Sequence, residues 1–503
     1  MPHSYPSGTR RPTSTLFARK LSIGSQAPIR IQGRLDLCVG EDSLLAQEAL
    51  SLIEGGADLL YVRIHEAHHL DVLRRLREGL STQRITTPLL VDVDASYHLI
   101  AQVLPLTDLL RCTVSGSPEQ QAAWMKACKK AEIPLQLHVS DQHVPAELWA
   151  RCGGSSIGLV EMAHTWGKFC HDIGHEELLF SFEASHPRLT TQACREWITR
   201  QEELGWSDPL HLESPADHAS GEWGRLSSAM HLGSLLMEGS GDSLLFTLQE
   251  MPLHEVEASR HLLLALHHFA CRGELFPRTP SLCRRRALQG PSFCKWPFTV
   301  ISIEAHDLHH RDSLFQEIHS SPTDLLSRPV QAIWVTASSS LNPTQLDTLS
   351  WIQQQGVGVL LSGITAPLDL GLPAVELQDI AHKPPIGPYA LLISDSNTDL
   401  WPLLLRFPPQ LILFRPTAPR TILTREFASW CQRYHVTAPI LLAFDYDAPY
   451  HDALMQMGLE AGVLLLDQAA DGLCLMGPYG SHLLHRIMNE LEICAEMAPD
   501  QAP

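Results

Sequence analysis

Apolar and polar positions along the first half of the chain switch repeatedly between two periods. Short runs with strand character recur at Ile29–Arg34, Asp58–Ile64, Thr87–Asp94, Asp108–Val114, Ile133–Val139, Glu177–Phe182, Pro209–Glu213 and Asp242–Leu248. Amphipathic helical patterns lie between most of them. Ser43–Glu54 places its apolar residues at helical spacing and stops at Gly55-Gly56, a C-terminal stop signal. Pro118–Lys130 and Thr190–Leu204 read the same way. Eight strands alternating with helices predict parallel βα units. Eight such units close into a TIM (β/α)8 barrel of about 250 residues. A doubly wound open sheet is the competing arrangement, but no GxGxxG follows any strand, which disfavours its dinucleotide-binding form.

The pattern breaks at Arg272–Trp296, where Pro277, Pro280, Pro291 and Arg284-Arg285-Arg286 interrupt any periodicity, and a linker is predicted. A second alternating series follows, with strands at Phe298–Ile303, Val330–Val335, Gly358–Leu361, Tyr389–Ile393, Gln410–Phe414, Pro439–Phe444 and Gly462–Leu466. Thr344–Gln355 and Ser481–Glu492 are helical in pattern. The organisation is therefore α/β throughout. A TIM barrel over 1–271 is followed by a linker over 272–296, an incomplete barrel-like domain over 297–496 and a frayed tail over 497–503.

The 503 residues are 44% hydrophobic and 18% charged, a globular balance. Lys plus Arg is 37 against 56 Asp plus Glu, so the net charge of −19 speaks against a nucleic-acid partner. No apolar run approaches the ~18–20 residues of a membrane helix, and the expected location is the cytoplasm. The stretch before Asp36 holds Arg, Ser and Thr but no acidic residue, the composition of a transit peptide. The alternative, a leading segment of the first domain, is favoured by motifs that begin at Arg10.

None of the twelve cysteines forms a CxxC pair, and Cys271, Cys283 and Cys294 are 12 and 11 residues apart. Zinc and iron–sulfur sites bring two ligands much closer in sequence, so scattered buried thiols and no metal site are expected. His306-Asp307-Leu308-His309-His310 and Arg284-Arg285-Arg286 read first as solvated surface, among 27 histidines and a basic linker.

The first half carries a family resemblance. Arg10-Arg11-Pro12-Thr13-Ser14, Ala27-Pro28-Ile29-Arg30-Ile31-Gln32 and Gly55-Gly56-Ala57-Asp58 come first. Thr87-Pro88-Leu89-Leu90-Val91-Asp92, Asp108-Leu109-Leu110-Arg111 and Ile133-Pro134 follow, then Pro209-Leu210-His211-Leu212 and Leu235-Leu236-Met237-Glu238-Gly239-Ser240-Gly241-Asp242-Ser243-Leu244. In order and spacing these resemble 4-hydroxy-3-methylbut-2-enyl-diphosphate synthases, the IspG or GcpE family, in the long form with an extra barrel-like insert.

The resemblance implies a TIM barrel and a reductive ring opening of 2-C-methyl-D-erythritol 2,4-cyclodiphosphate in isoprenoid biosynthesis. It implies a basic grip on the diphosphate, as charge-assisted bonds require. It also implies a [4Fe–4S] cluster held by three Cys and a Glu in a C-terminal domain opening with a CPxCGR-type motif. This sequence departs from the pattern at both sites. The chain stops at Pro503 without that motif, so no cofactor is expected in this chain, and the cluster domain would be separately encoded or lost. Tyr61, Gln136, Glu183 and Leu245 stand where the family pattern has basic residues. Asp92, Arg111 and Ser185 match it, Asp217 and Thr247 replace its Glu and Ser, and Arg63 shares a face with Tyr61 by period two.

The candidate set is therefore Asp217 as catalytic residue, with Arg63, Asp92, Arg111, Ser185 and Thr247 for substrate. Asp92 and Arg111 also fit a structural ion pair at the barrel rim. Three readings follow. The first is a synthase acting with a separate iron–sulfur domain. The second is an inactive relative acting as a binding or scaffold partner of a homologous synthase. The third is a TIM-barrel enzyme of other chemistry using Asp92, Arg111 and Asp217. A small diphosphate ligand and a homo-oligomer are the remaining partner expectations.

Overall fold

The computed structural model describes residues 10–37, 42–66, 68–93, 97–214, 221–275, 289–294, 297–311, 314, 329–337, 340–363, 370–394 and 397–496. Two compact units meet at a boundary between Cys271 and Arg272. The first opens with an antiparallel hairpin, β1 (Leu16–Ala18) and β2 (Leu21–Ile23). The eight strands read from the sequence follow as β3 (Arg30–Leu35), β4 (Leu59–Ile64), β5 (Leu89–Val93), β6 (Leu109–Thr113), β7 (Leu135–Ser140), β8 (Leu178–Glu183), β9 (Leu210–Glu213) and β10 (Ser243–Leu245). They pair in parallel and close as β10-β3-β4-β5-β6-β7-β8-β9, the TIM-barrel arrangement.

Local signals set the connections. The helix Asp42–Gly55 ends where Gly56 turns to φ +114°, and Pro187–Leu204 ends at left-handed Gly205. Strand alternation sends Leu59, Tyr61 and Arg63 inward. Leu59 and Tyr61 pack with Leu90, Leu109, Leu179 and Leu245 against Leu16, Ala18 and Ile23 of the hairpin, which thus closes the lower end of the barrel.

Three aspartates of the family-like motifs turn out to stitch that lower end together. Each stands before or at the start of a strand and accepts a hydrogen bond from the backbone of a neighbouring strand. Ile31 N donates to Asp58 at 3.0 Å, Leu89 N to Asp108 at 2.9 Å and Leu210 N to Asp242 at 2.8 Å. Asp108 also holds Arg77 through two 2.7 Å bonds. Asp242 binds Arg10 at 2.5 Å and Thr13 at 3.0 Å, fastening the leading segment.

The second unit is also a complete barrel, not the incomplete one expected. Its strands are β11 (Phe298–Glu304), β12 (Ala332–Thr336), β13 (Gly358–Ser362), β14 (Leu372–Glu376), β15 (Ala390–Ile393), β16 (Leu411–Phe414), β17 (Ile440–Asp445) and β18 (Gly472–Met476), closed in sequence order. Two readings need correction. Gly462–Leu466 is helical, split between a π-turn at Gly458–Gly462 and the helix Val463–Leu466. It is buried on every side, and a fully buried helix has the same unbroken apolar run as a buried strand. The two unread strands are β14, disguised by Pro373, and β18.

The described parts of the stretch read as a linker pack on this second barrel. Glu274 is fully buried, and Thr421 Oγ1 donates to its carbonyl at 2.9 Å. Phe293 and Cys294 pack against the barrel core. Phe293 lies so near Gly358 that a Cβ there would stand 2.3 Å from its ring. Cys283, Arg284-Arg285-Arg286 and the tail 497–503 lie outside the described residues. No helix among the described residues is long and apolar enough to cross a membrane.

Candidate active site at the mouth of the first barrel

The upper interior of the first barrel is polar, and strand register assembles it. Arg63 of β4, Asp92 of β5, Arg111 of β6 and Gln136 of β7 are paired in successive steps and face the same side. Asp92 and Arg111 are both buried. Tyr61 Oη donates to Asp92 Oδ2 at 2.6 Å, while Arg63 Nε and Arg111 Nε lie 3.5 and 3.6 Å from the same oxygen. Arg111 Nη1 is 2.7 Å from Glu213 Oε2, an ion pair without linear hydrogen-bond geometry, and its guanidinium lies 5.4 Å from the Tyr61 ring. Burial pulls the Arg111 guanidinium down, but Glu213, Tyr61 and Asp92 together more than offset that and keep it charged. Burial pushes the Tyr61 phenol well up, so it remains a donor.

A second chain of contacts runs beside this cage. Gln136 Nε2 donates to Ser181 Oγ at 3.1 Å. Ser181 Oγ lies 3.0 Å from His138 Nδ1, and His138 Nε2 lies 3.1 Å from Glu183 Oε2. Because the Ser181 oxygen accepts from Gln136, its own proton is available to His138 Nδ1, which leaves His138 Nε2–H to donate to Glu183. That hydrogen bond comes first, with the Arg111 and Arg63 charges behind it, in holding the Glu183 carboxyl below its usual range against the opposing effect of burial. His211 is buried one strand further on, with Nδ1 2.9 Å from Ser243 Oγ. Burial, then Arg111 and His138, hold it well below the usual imidazole range.

The sequence-derived candidates divide accordingly. Arg63, Asp92 and Arg111 come together. Ser185 lies on the exposed loop after β8, where its backbone N–H donates to Asp141 Oδ2 at 2.7 Å. Thr247 lies after β10 and donates to the Ser214 carbonyl at 2.6 Å. Asp217 falls outside the described residues. Glu213, His138 and His211 were missed as site residues. Their signal was period two: Glu213 stands two residues after His211, and His138 two after Gln136. Tyr61, Gln136 and Glu183, three of the four positions expected to be basic, belong to this network, while Leu245 belongs to the apolar layer beneath.

The family resemblance implies an iron–sulfur cluster held outside the barrel domain. No three His, Cys, Asp or Glu side chains among the described residues converge as metal ligands. Burial pushes the thiols of Cys128, Cys170, Cys194 and Cys474 up to about 12. His306 is exposed and pairs with Glu304 and Asp307 in a solvated turn.

A parallel eight-stranded barrel with its polar groups gathered at the C-terminal strand ends has the layout of TIM-barrel enzymes and their relatives. Residues 13–260 match the GcpE TIM-barrel domain, and the first barrel of this chain is a member of that domain family. The chain is 23% identical to a protein of Protochlamydia amoebophila named 4-hydroxy-3-methylbut-2-en-1-yl diphosphate synthase (flavodoxin). That match covers 95% of this chain, hence both barrels, and 80% of the relative. The chloroplastic ferredoxin-type synthase of Oryza sativa is 24% identical over 50% of this chain, and only 37% of the plant protein's length is covered. A Synechococcus ferredoxin-type synthase is 27% identical over 53% of this chain and 71% of its own length.

Proposed function

We propose that this chain is a relative of the diphosphate synthases that does not itself open the cyclic diphosphate, and that works beside a homologous synthase or a separate iron–sulfur protein. The observation that carries this reading is the position of Arg111. A guanidinium that grips a diphosphate must present its donors to the ligand. Arg111 is buried against Tyr61 and set between Glu213 and Asp92. Three carboxylates, Asp92, Glu183 and Glu213, face two guanidiniums, Arg63 and Arg111, so the mouth opposes a polyanion rather than attracting it. The same reading is supported by the described residues, among which no three His, Cys, Asp or Glu side chains converge as metal ligands.

Calorimetric titration with 2-C-methyl-D-erythritol 2,4-cyclodiphosphate tests it. Binding no tighter than millimolar is expected. Micromolar binding would return the chain to the catalytic class.

A further inference from the structure

The half-exposed carboxylate of Glu183 is aimed by a fully buried chain of polar side chains that has no evident structural use. Gln136 and Ser181 are each 0% exposed and His138 is 3% exposed. They are linked in series, each contact at 3.0–3.1 Å, and the series ends on Glu183, whose side chain is 49% exposed at the barrel mouth. Burying three polar groups in order to orient one exposed carboxylate stabilises the fold little, because an exposed pair contributes little. Such support is what a ligand contact needs. Glu183 Oε1 has no protein partner among the described residues. Across the same mouth, Arg63 is 52% exposed, and its Nε lies 3.5 Å from Asp92 Oδ2. Gln136 Oε1, fully buried, is an unpartnered acceptor just below.

We propose that the mouth of the first barrel binds a small zwitterion of the amino-acid class, with its ammonium on Glu183 and its carboxylate on Arg63. The inference rests on the reading above, under which Arg111 is withdrawn from ligand binding. An ammonium donates and a carboxylate accepts, which matches the acceptor on Glu183 and the solvent-exposed guanidinium of Arg63. A polyanion satisfies Arg63 but is repelled by Glu183. A simple amine satisfies Glu183 but leaves Arg63 unmatched. Glu183 stays ionised because His138 donates to it and two guanidiniums lie near it.

The experiment uses the full chain and ligand-observed NMR with calorimetry. The probes are glycine, β-alanine and γ-aminobutyrate, which vary the separation of the two charges, with butylamine and butyrate as half-molecules. At least one amino acid should bind more tightly than either half-molecule, and Glu183→Gln, at a half-exposed position, should weaken it about tenfold or more. His138 is a positioning residue. In His138→Phe, Glu183 loses its donor, so the low-pH limb of binding should move to higher pH, a change that a purely structural role would not produce. Equal binding of either half-molecule, unchanged affinity in Glu183→Gln, or no binding by any amino acid overturns the proposal. The cyclic diphosphate titrated alongside separates the two readings. Micromolar diphosphate binding removes the first, whereas failure of every probe without diphosphate binding removes only the second.

Discussion

Arg111 Nη1 lies 2.7 Å from Glu213 Oε2 within the barrel, and neither group has another carboxylate or guanidinium as close. Each therefore neutralises the other where solvent does not. Arg111→Met leaves Glu213 and Asp92 facing each other without their shared cation. Breaking a buried pair from one side costs ~3–5 kcal/mol. Urea unfolding should show a loss of that size, and adding Glu213→Gln should recover part of it. A loss below 1 kcal/mol would mean that the pair is not structurally coupled.

The lower end of the barrel holds a second buried charge cluster. Asp108 receives Leu89 N and Arg77 and lies 2.9 Å from Arg19, at the end away from the mouth. Asp108→Ala should cost ~3 kcal/mol or more in stability by removing a buried charged acceptor. Binding of any ligand at the mouth should survive under native conditions. Differential scanning calorimetry together with the amino-acid titration checks both halves of the statement.

In the second barrel, Gly358→Ala places a methyl group against the Phe293 ring. The expected loss is about 1–3 kcal/mol from overpacking. Phe293→Leu on top of it should restore part of that loss, giving a clear coupling in a double-mutant cycle. Additive costs would show that the two side chains do not meet.

Glu274 supplies a pH dependence. Burial, and then Glu460, push its carboxyl up to about 7, against the pull of Arg272 and Arg420. The folded state thus holds a proton that the unfolded chain releases near 4.5. Between those values the folded state binds more protons than the unfolded one, so stability falls as pH rises from about 4.5 to about 7 and then levels off. Glu274→Gln should flatten that slope and be more stable than the parent at pH 8 by ~2 kcal/mol. Denaturant midpoints measured from pH 5 to 8 decide it, and a parent whose stability rises across that range would contradict the assignment.

The candidate site was half legible before any fold was known. Asp92 and Arg111 were found because they stand at motif positions, and Arg63 because it shares a face with Tyr61 by period two. The Asp92–Arg111 pair, on adjacent strands, was among the readings the sequence offered, but Glu213 was not, because it reaches Arg111 only through the closure of the barrel. Glu183 was legible as a departure from a basic position. That it ends a buried Gln136–Ser181–His138 chain was not, since each link joins β7 to β8.

Periodicity and glycine punctuation identified all eight strands of the first barrel and the α/β class of both units, because local hydrophobic spacing reports which face of an element is covered. The hairpin at β1 and β2 escaped. Its strands are three residues long, and its turn uses Arg19 at φ +55° where glycine or asparagine would have signalled it. The helix at Val463–Leu466 was misread because complete burial erases periodicity, and β14 was hidden by its proline. What the side chains do at the mouth was decided only in three dimensions. A guanidinium is a ligand grip or an internal counterion according to which carboxylates the closed sheet brings beside it, and those partners lie up to a hundred residues away in the chain, as Glu213 does from Arg111.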